Sequence, residues 1–268
     1  MPLYCGVNGV RREIRELYTG VGGVKKELTE MWAAENGVKK LVYQVVKGSP
    51  IGDLPVGSIV KINENGKPVN YLIVHQGLPS GMYDASCNGT WLLRQDIAEE
   101  HAWDAGNVNK LEFSDIHAYL NGTWLNRYDA EIRDIIKRAK IPYRRGGGEN
   151  GTDVSGYSGI PCKAFLLSGK EVGFDYKVIE IFPSDGDLLS YFIYGQSALA
   201  DEKRIATFGR DTEYWWLRSP DTSDSYYVCE VTRDGDWGSG HAEDLNGIRP
   251  ALIFPSSTLV DDLGNIVA

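Results

Sequence analysis

The amino-acid sequence predicts an α+β domain preceded by a small β-hairpin repeat segment. Three observations lead there. Residues 6–44 repeat around glycine-paired turns, helix signals gather in the first half of the remaining chain, and short strand signals punctuated by Gly and Pro fill the second half.

The repeat comes first. GVNGVRREIRELYT (6–19), GVGGVKKELTEMWA (20–33) and AENGVKKLVYQ (34–44) align without gaps, each centred on a turn pair: Asn8-Gly9, Gly22-Gly23 and Asn36-Gly37. Both positions of such a pair tolerate φ > 0, which suits two-residue hairpin turns. Val10, Val24 and Val38 follow the turns, and paired basic residues follow the valines. Serial short hairpins are expected, and a helix through REIRELY is the competing reading. Units this short bury little alone, so attachment or oligomerisation is the natural use of residues 1–46.

Charge also divides the chain. Residues 1–47 carry eight Lys/Arg and five Asp/Glu, a net +3, which leaves 20 basic and 32 acidic residues, a net −12, for the rest. With −9 overall, nucleic-acid binding is not expected. Residues 45–55, rich in Gly and Pro, mark the boundary; a main domain over 50–256 and a tail over 257–268 follow.

Ser58–Ile62 and Tyr71–His75 read as strands joined by the turn-rich Asn63–Pro68. NGT occurs at 88–90, 121–123 and 150–152; Asn-Gly turns feeding buried Trp-Leu pairs explain the first two more simply than glycosylation. Ser114 is placed to cap a helix through Ile116, Tyr119 and Leu120. A second helix is expected over Ala130–Ala139, with Ile132, Ile135 and Ile136 on one face. Residues 141–161 form a long Gly-rich loop, and loops of that length are usually functional or mobile. Ala164–Leu167 is apolar, and Leu188–Tyr194 is open between strand and helix.

Tyr214–Leu252 stands apart. Trp215-Trp216-Leu217-Arg218-Ser219-Pro220 and Gly247–Leu252 are apolar frames, whereas residues 221–246 are mostly Asp, Ser, Thr, Tyr, Gly and Glu. Such a segment cannot build a core but suits an adaptable contact surface. Tyr226, Tyr227, Glu230, Arg233, Asp236, Trp237, Ser239, His241 and Asp244 are the candidate ligand-binding residues, because Tyr and Trp give rigid contact area and the charged groups give directional bonds. The bland alternative is a solvated hairpin with Asp234-Gly235 as its turn and Val228 and Val231 packed inward. Trp215, Trp216 and Arg249 are expected in the core, with Arg249 on backbone carbonyls or a buried acid. Arg144-Arg145 beside Gly146–Gly148 could cradle an anion, but a flexible rim is the simpler reading.

WWLRSP (215–220) followed by a polar run and GIRPAL (247–252) resembles a family of bacterial and phage domains of unknown function with a WLRSP…GVRPAL signature. HQGLPSGMYDASCNGTWLLRQDI (75–97), IPY (141–143) and AFLLSGKEVG (164–173) extend the resemblance over about residues 50–256. That family is similar to C-type-lectin-like domains, including the variable proteins of diversity-generating retroelements and the formylglycine-generating enzymes. The N-terminal GVNGV units look like those of phage tail proteins. The resemblance implies a C-type-lectin-like receptor-binding protein of a phage tail, or one on a bacterial cell surface, displaying 221–246 to a bacterial surface protein or glycan. It also implies contacts with other virion proteins through residues 1–46 and, by analogy with fibres, a homotrimer. A purely structural virion protein and an oxidase of formylglycine-generating type are the alternatives.

No catalytic residue, metal ligand or cofactor is expected. Cys5, Cys87, Cys162 and Cys229 show no metal-ligand spacing, and reduced thiols are expected. No nucleophile elbow or HExxH occurs, and calcium-lectin motifs of EPN, QPD or WND type are absent. No N-terminal apolar run resembles a signal peptide, and no stretch of about 20 apolar residues could span a membrane.

Overall fold

In the computed structural model the chain divides into two units, Met1–Lys47 and Gly48–Ala268. The structure describes six strands within residues 4–44 by their backbone, then residues 48–148, 153–154, 156–174, 185–193 and 198–267. The first unit consists of three antiparallel hairpins: Tyr4–Val7 with Val10–Glu13, Tyr18–Val21 with Val24–Glu27, and Glu30–Glu35 with Val38–Gln44. Their innermost pairs are Val7↔Val10, Val21↔Val24 and Glu35↔Val38. The turn pairs between them, and residues 14–17 of the competing helix, lie outside the described residues.

The second unit is mixed, with many strands in several sheets and a few short helices. Its strands include β1 (Ile59–Glu64), β2 (Lys67–Gly77), β3 (Gly89–Arg94) and β4 (Glu100–Ala102). Helices α1 (Asp115–Asn121) and α2 (Ala130–Ile135) follow, then β5 (Ala139–Ile141), β6 (Ile160–Cys162), β7 (Ala164–Phe165) and α3 (Ala198–Arg204). The last strands needed here are β8 (Trp215–Pro220), β9 (Tyr227–Val231), β10 (Trp237–His241), β11 (Leu245–Gly247) and β12 (Ala251–Phe254).

One sheet runs β7-β12-β3-β2-β1 and is antiparallel throughout. Its centre is dry: β3 is buried except at its final Arg94, β12 is buried at every position, and β2 is buried from Tyr71 to His75. β1 alternates, sending Val60, Ile62 and Glu64 inward, as expected of an edge strand with one wet face. Glu64 can be buried because the Tyr71 hydroxyl (2.6 Å) and Arg94 Nε (3.0 Å) both donate to its carboxylate. The β1–β2 turn carries Asn65 and Gly66 at positive φ, the backbone that its Asn-Gly pair favours.

The second sheet runs β4-β11-β8-β9-β10. Every residue of β8 is buried, and β9 pairs antiparallel with β10 from Tyr227↔His241 to Val231↔Trp237. Gly235 turns this hairpin at φ +86, with Val228 and Val231 fully buried behind it. The hairpin reading of Asp234-Gly235 therefore describes the backbone correctly.

Ser114 caps α1, its Oγ accepting from His117 N. α2 is shorter than the expected Ala130–Ala139: Ile136 leaves helical geometry, and Ala139–Ile141 pairs instead with Ile160–Cys162. A strand partner far along the chain, invisible to local periodicity, takes that backbone. The Gly-rich stretch 141–161 is likewise only partly loop, since Tyr143–Arg144 pairs with Asp153–Val154. Asn88 and Asn121 precede Trp91 and Trp124, both fully buried, while the third NGT lies outside the described residues. Leu188–Tyr194, open in sequence, holds a short 3-10 turn over Ser190–Phe192. Residues 257–267 contribute Leu259–Val260 and Ile266–Val267, which form a three-stranded sheet with Ser49–Pro50.

Candidate functional site

The polar segment 221–246 is mounted on β8, and the mounting depends on Arg218. The guanidinium is buried and uses all five of its donors: on the Pro142 carbonyl (3.0 Å), the Leu166 carbonyl (2.9 Å), both Glu171 oxygens (2.5 and 2.7 Å) and the Asp185 carbonyl (2.8 Å). Glu171 is itself fully buried and also accepts from the Tyr83 hydroxyl (2.8 Å) and Ser168 N (2.9 Å). Burial opposes the charge of Arg218, but Glu171 and then Asp185 outweigh it and hold its pKa above the ordinary value. Next to it, Ser219 Oγ donates to Asp185 and accepts from Gly169 N (2.9 Å). One arginine thereby fixes four chain segments around β8.

The other frame is built as expected. Arg249 donates to the carbonyls of Arg94, Gln95 and Arg204, and its guanidinium lies 4.5 Å from the Trp215 ring centroid. Trp215 and Trp216 are fully buried, and each indole N–H donates to a carbonyl, of Arg204 and of His101.

The nine candidate residues fall into two groups. At the turn end, Arg233 and Asp236 are exposed and Trp237 packs its half-buried ring against the core. Arg233 is held by Glu213 through two 2.9 Å bonds and lies 5.4 Å from the Tyr214 ring. At the other end, Tyr227 and His241 face each other with ring centroids 4.4 Å apart, and His241 N donates to Asp244 (3.1 Å). Tyr226 beside them is 50% exposed. Four residues of strand, about 13 Å, separate the two ends. Ser239 lies between them and is exposed.

Glu230 differs from the other eight. It is only 7% exposed, and Asn246 Nδ2 donates to its carboxylate at 2.5 Å. A Cβ added at Gly238 would sit 2.9 Å from Glu230 Oε1, and one at Gly240 would sit 2.8 Å from the Trp216 ring. The two glycines therefore leave the space in which Glu230 and Trp216 lie. Burial raises the Glu230 carboxyl to about 7, against the Asn246 hydrogen bond and with help from Asp244. It is part of the sheet's construction and not of its presented surface.

Sequence reasoning missed the residue that organises the far end. Asn109 is fully buried and bonds two loops at once. Its Nδ2 donates to the carbonyls of Asp221 (3.3 Å), Asp224 (2.8 Å) and Tyr227 (2.8 Å), while its Oδ1 accepts from Gly147 N (2.6 Å). Gly146, Gly147 and Gly148 all have positive φ, and a Cβ at Gly148 would lie 3.1 Å from Ser225 N. Gly148 is thus packed against 224–225, and Gly146 and Gly147 against Asn109 and Lys110. Asn107 Nδ2 reaches His241 Nδ1 at 3.4 Å, and Phe113, a few residues on, is 79% exposed. Two asparagines alternating with valine at 107–109 were the only textual signal.

Among the described residues no group of His, Cys, Asp and Glu could hold a metal ion, and no helix is long and apolar enough to cross a membrane. Cys87, Cys162 and Cys229 are free and buried. His75 Nδ1 contacts Ser190 Oγ at 2.8 Å and also faces Ser190 N at 3.4 Å, at the start of the 3-10 turn.

No curated protein and no solved structure matches the chain. Residues 88–256, which span the frames, the Asn109 loop and the whole polar hairpin, match a domain of unknown function, and the chain belongs to that family, DUF6273.

Proposed function

We propose that this chain is a recognition protein of a phage tail or bacterial cell surface, presenting residues 221–246, which include the β9–β10 hairpin, to a bacterial surface protein or glycan. The observation that carries the reading is the contrast between frame and face. β8 and β12 are buried at every position, whereas Tyr226, Arg233, Asp236, Ser239 and Asp244 on the segment between them are exposed. A surface whose residues are not needed by the core can vary without loss of the fold. Tyr227 and His241 face each other, and Gly148 packs against Ser225 next to Tyr226, which gives that surface an aromatic part braced by backbone; Tyr side chains keep the entropy cost of contact low.

The C-type-lectin-like architecture belongs to the same proposal. Its support is the sheet in which the second unit's first strand, Ser49–Pro50, pairs with Leu259–Val260 and that strand with the last, Ile266–Val267, which leaves the polar segments as excursions between the two ends of the unit. Attachment to other virion proteins through residues 1–46, and a homotrimer, are supported only by the hairpin repeats and the resemblance they carry. Multiple weak contacts acting together would then supply avidity.

The test is binding of the full labelled chain to a panel of intact bacterial cells, with Tyr226→Ala/Arg233→Ala/Asp244→Ala as the comparison. All three side chains lie at or near the surface, so the variant should fold with an unchanged urea midpoint. A cell type that binds the chain and loses it by at least about tenfold in the variant supports the reading. Failure of the whole panel, or binding that survives the triple change, overturns it. Diversification has its own test: a near-copy of the codons for residues 215–252, beside a reverse-transcriptase gene and differing at template adenines.

A further inference from the structure

We propose that the cavity between the end of α1, the turn at Leu125 and the open end of the β5–β6 pair binds a small organic anion: one phosphate or carboxylate on a polyol-sized body. The cavity holds about 210 Å³ and is lined by Asn121, Leu125, Arg138, Pro161, Cys162 and Lys163. It lies apart from the polar hairpin and does not depend on the recognition reading.

Charge is the first argument. The β5–β6 ladder ends at the pair Ala139↔Cys162, and the two residues flanking that pair, Arg138 and Lys163, both line the cavity. Two like charges lining one pocket disfavour each other. Among the described residues no carboxylate lines the cavity to offset them. Lys163 Nζ donates to the Arg133 carbonyl, which occupies one of its three hydrogens. Arg138 is exposed, and among the described residues it makes no hydrogen bond or ion pair. An oxyanion between the two cations would relieve the repulsion and take the planar donor fork of the guanidinium.

The remaining lining fixes the ligand's character. The Asn121 amide is already used: Oδ1 accepts from Lys163 N (2.8 Å) and Ala164 N (3.3 Å), and Nδ2 donates to the His117 (3.1 Å) and Ala164 (2.9 Å) carbonyls. It braces the site without competing for the anion. Leu125, Pro161 and Cys162 form an apolar wall, and burial pushes the Cys162 thiol up to about 12, so it adds no negative charge. At about 30 Å³ per water the space equals roughly seven waters, more than a bare oxyanion fills. It is also smaller than the roughly 300–1,000 Å³ of pockets for drug-sized ligands.

Isothermal titration of the full chain at low ionic strength with glycerol 3-phosphate, glycerate and glycerol tests this. At least one anion should bind, glycerol at least about tenfold more weakly, and Arg138→Gln and Lys163→Gln should each cost at least about tenfold. The tighter anion tells a phosphate ligand from a carboxylate one. Circular dichroism and the urea midpoint show that both variants are folded; Arg138 is exposed, so its variant keeps the test valid if Lys163→Gln is not. Absence of binding by both anions, equal affinity for glycerol, or undiminished binding by folded Arg138→Gln overturns the proposal.

Discussion

The Asn109 side chain donates to the Tyr227 carbonyl at 2.8 Å and thereby welds the segment before α1 to the start of β9. Its oxygen simultaneously accepts from Gly147 N, so one buried amide sets the spacing of both polar loops. Asn109→Ala would leave the Gly147 N–H and the Asp224 and Tyr227 carbonyls without this partner. Buried groups orphaned in that way cost about 1–3 kcal/mol each, so a loss of about 3 kcal/mol is expected after partial relaxation. Urea unfolding should show a lower midpoint with an unchanged slope. Asn109→Asp should be worse than Ala, because a carboxylate accepts from Gly147 N but meets three carbonyls it cannot donate to.

Glu230 makes stability depend on pH with a definite sign. In the folded chain its carboxyl titrates at about 7, above the ordinary 4.5, so between those values the folded state keeps a proton that the unfolded state has lost. Its contribution to stability is fully present below about pH 4.5 and declines as pH rises through about 7. A shift of this size amounts to on the order of 2–3 kcal/mol. Glu230→Gln, which keeps the shape without the charge, should therefore gain on the natural chain as pH rises from about 5 to about 8. Urea midpoints of the two proteins at both pH values measure the difference. A constant gap across pH would show that Glu230 does not titrate there.

The thiols should be inert in the native state. Burial raises Cys87 and Cys162 to about 12, and Cys229 also lies well above its ordinary value because of burial, with Asp185 adding to it. The thiolate is the reacting form, so iodoacetamide at about pH 8 should leave all three unmodified in the folded chain and label them in urea. Rapid native labelling of Cys229 or Cys162 would instead favour the oxidase alternative, which needs a reactive cysteine.

The turn at Gly235 is sterically closed. Its φ is +86, and an added Cβ would lie 2.0 Å from the Asp201 carbonyl oxygen on α3. Gly235→Ala must both strain the backbone and push α3 away, costing more than the roughly 1 kcal/mol of the conformation alone. The Arg204 Nε bond to the Gly235 carbonyl (2.7 Å) ties the same two elements, so the loss should appear in thermal unfolding of the whole unit. A melting temperature within about one degree of the natural chain's would show that the turn is not packed on α3.

Local signals carried well where the partner was near in sequence. The Ser114 cap, a turn within Asn63–Pro68, the Asp234-Gly235 hairpin and the carbonyl-bound Arg249 were all readable, because each follows from backbone preference or from the cost of burying a charge. The signal failed where a distant strand took over, as Ile160–Cys162 did with Ala139–Ile141. It failed again at Glu230, whose polar character suggested exposure. Only the neighbouring Gly238 and Gly240, with no side chains of their own, show that a carboxylate can lie down against the sheet. Asn109 and Phe113 escape a sequence reading because the Asn-Val-Asn of 107–109, though unusual, does not say what lies across from it. In sequence Arg218 is just one member of the frame 215–220; its partners sit at 142, 166, 171 and 185, beyond any local window.

That last group is the strongest test of how the face is mounted. Removing one member of a buried pair leaves the other charged and unpaired, which typically costs 3–5 kcal/mol. Arg218→Met should do this to Glu171, which would retain only the Tyr83 hydroxyl and Ser168 N as donors. Glu171→Gln should do the converse, leaving Arg218 with its carbonyl partners and only the more indirect charge of Asp185. In the double variant Glu171→Gln/Arg218→Met neither charge remains, so the combined loss should be smaller than the sum of the single losses by about 2–3 kcal/mol. Urea unfolding of the four proteins gives that coupling directly. Strict additivity would mean that the two side chains are held independently, and that the polar hairpin does not owe its position to their pairing.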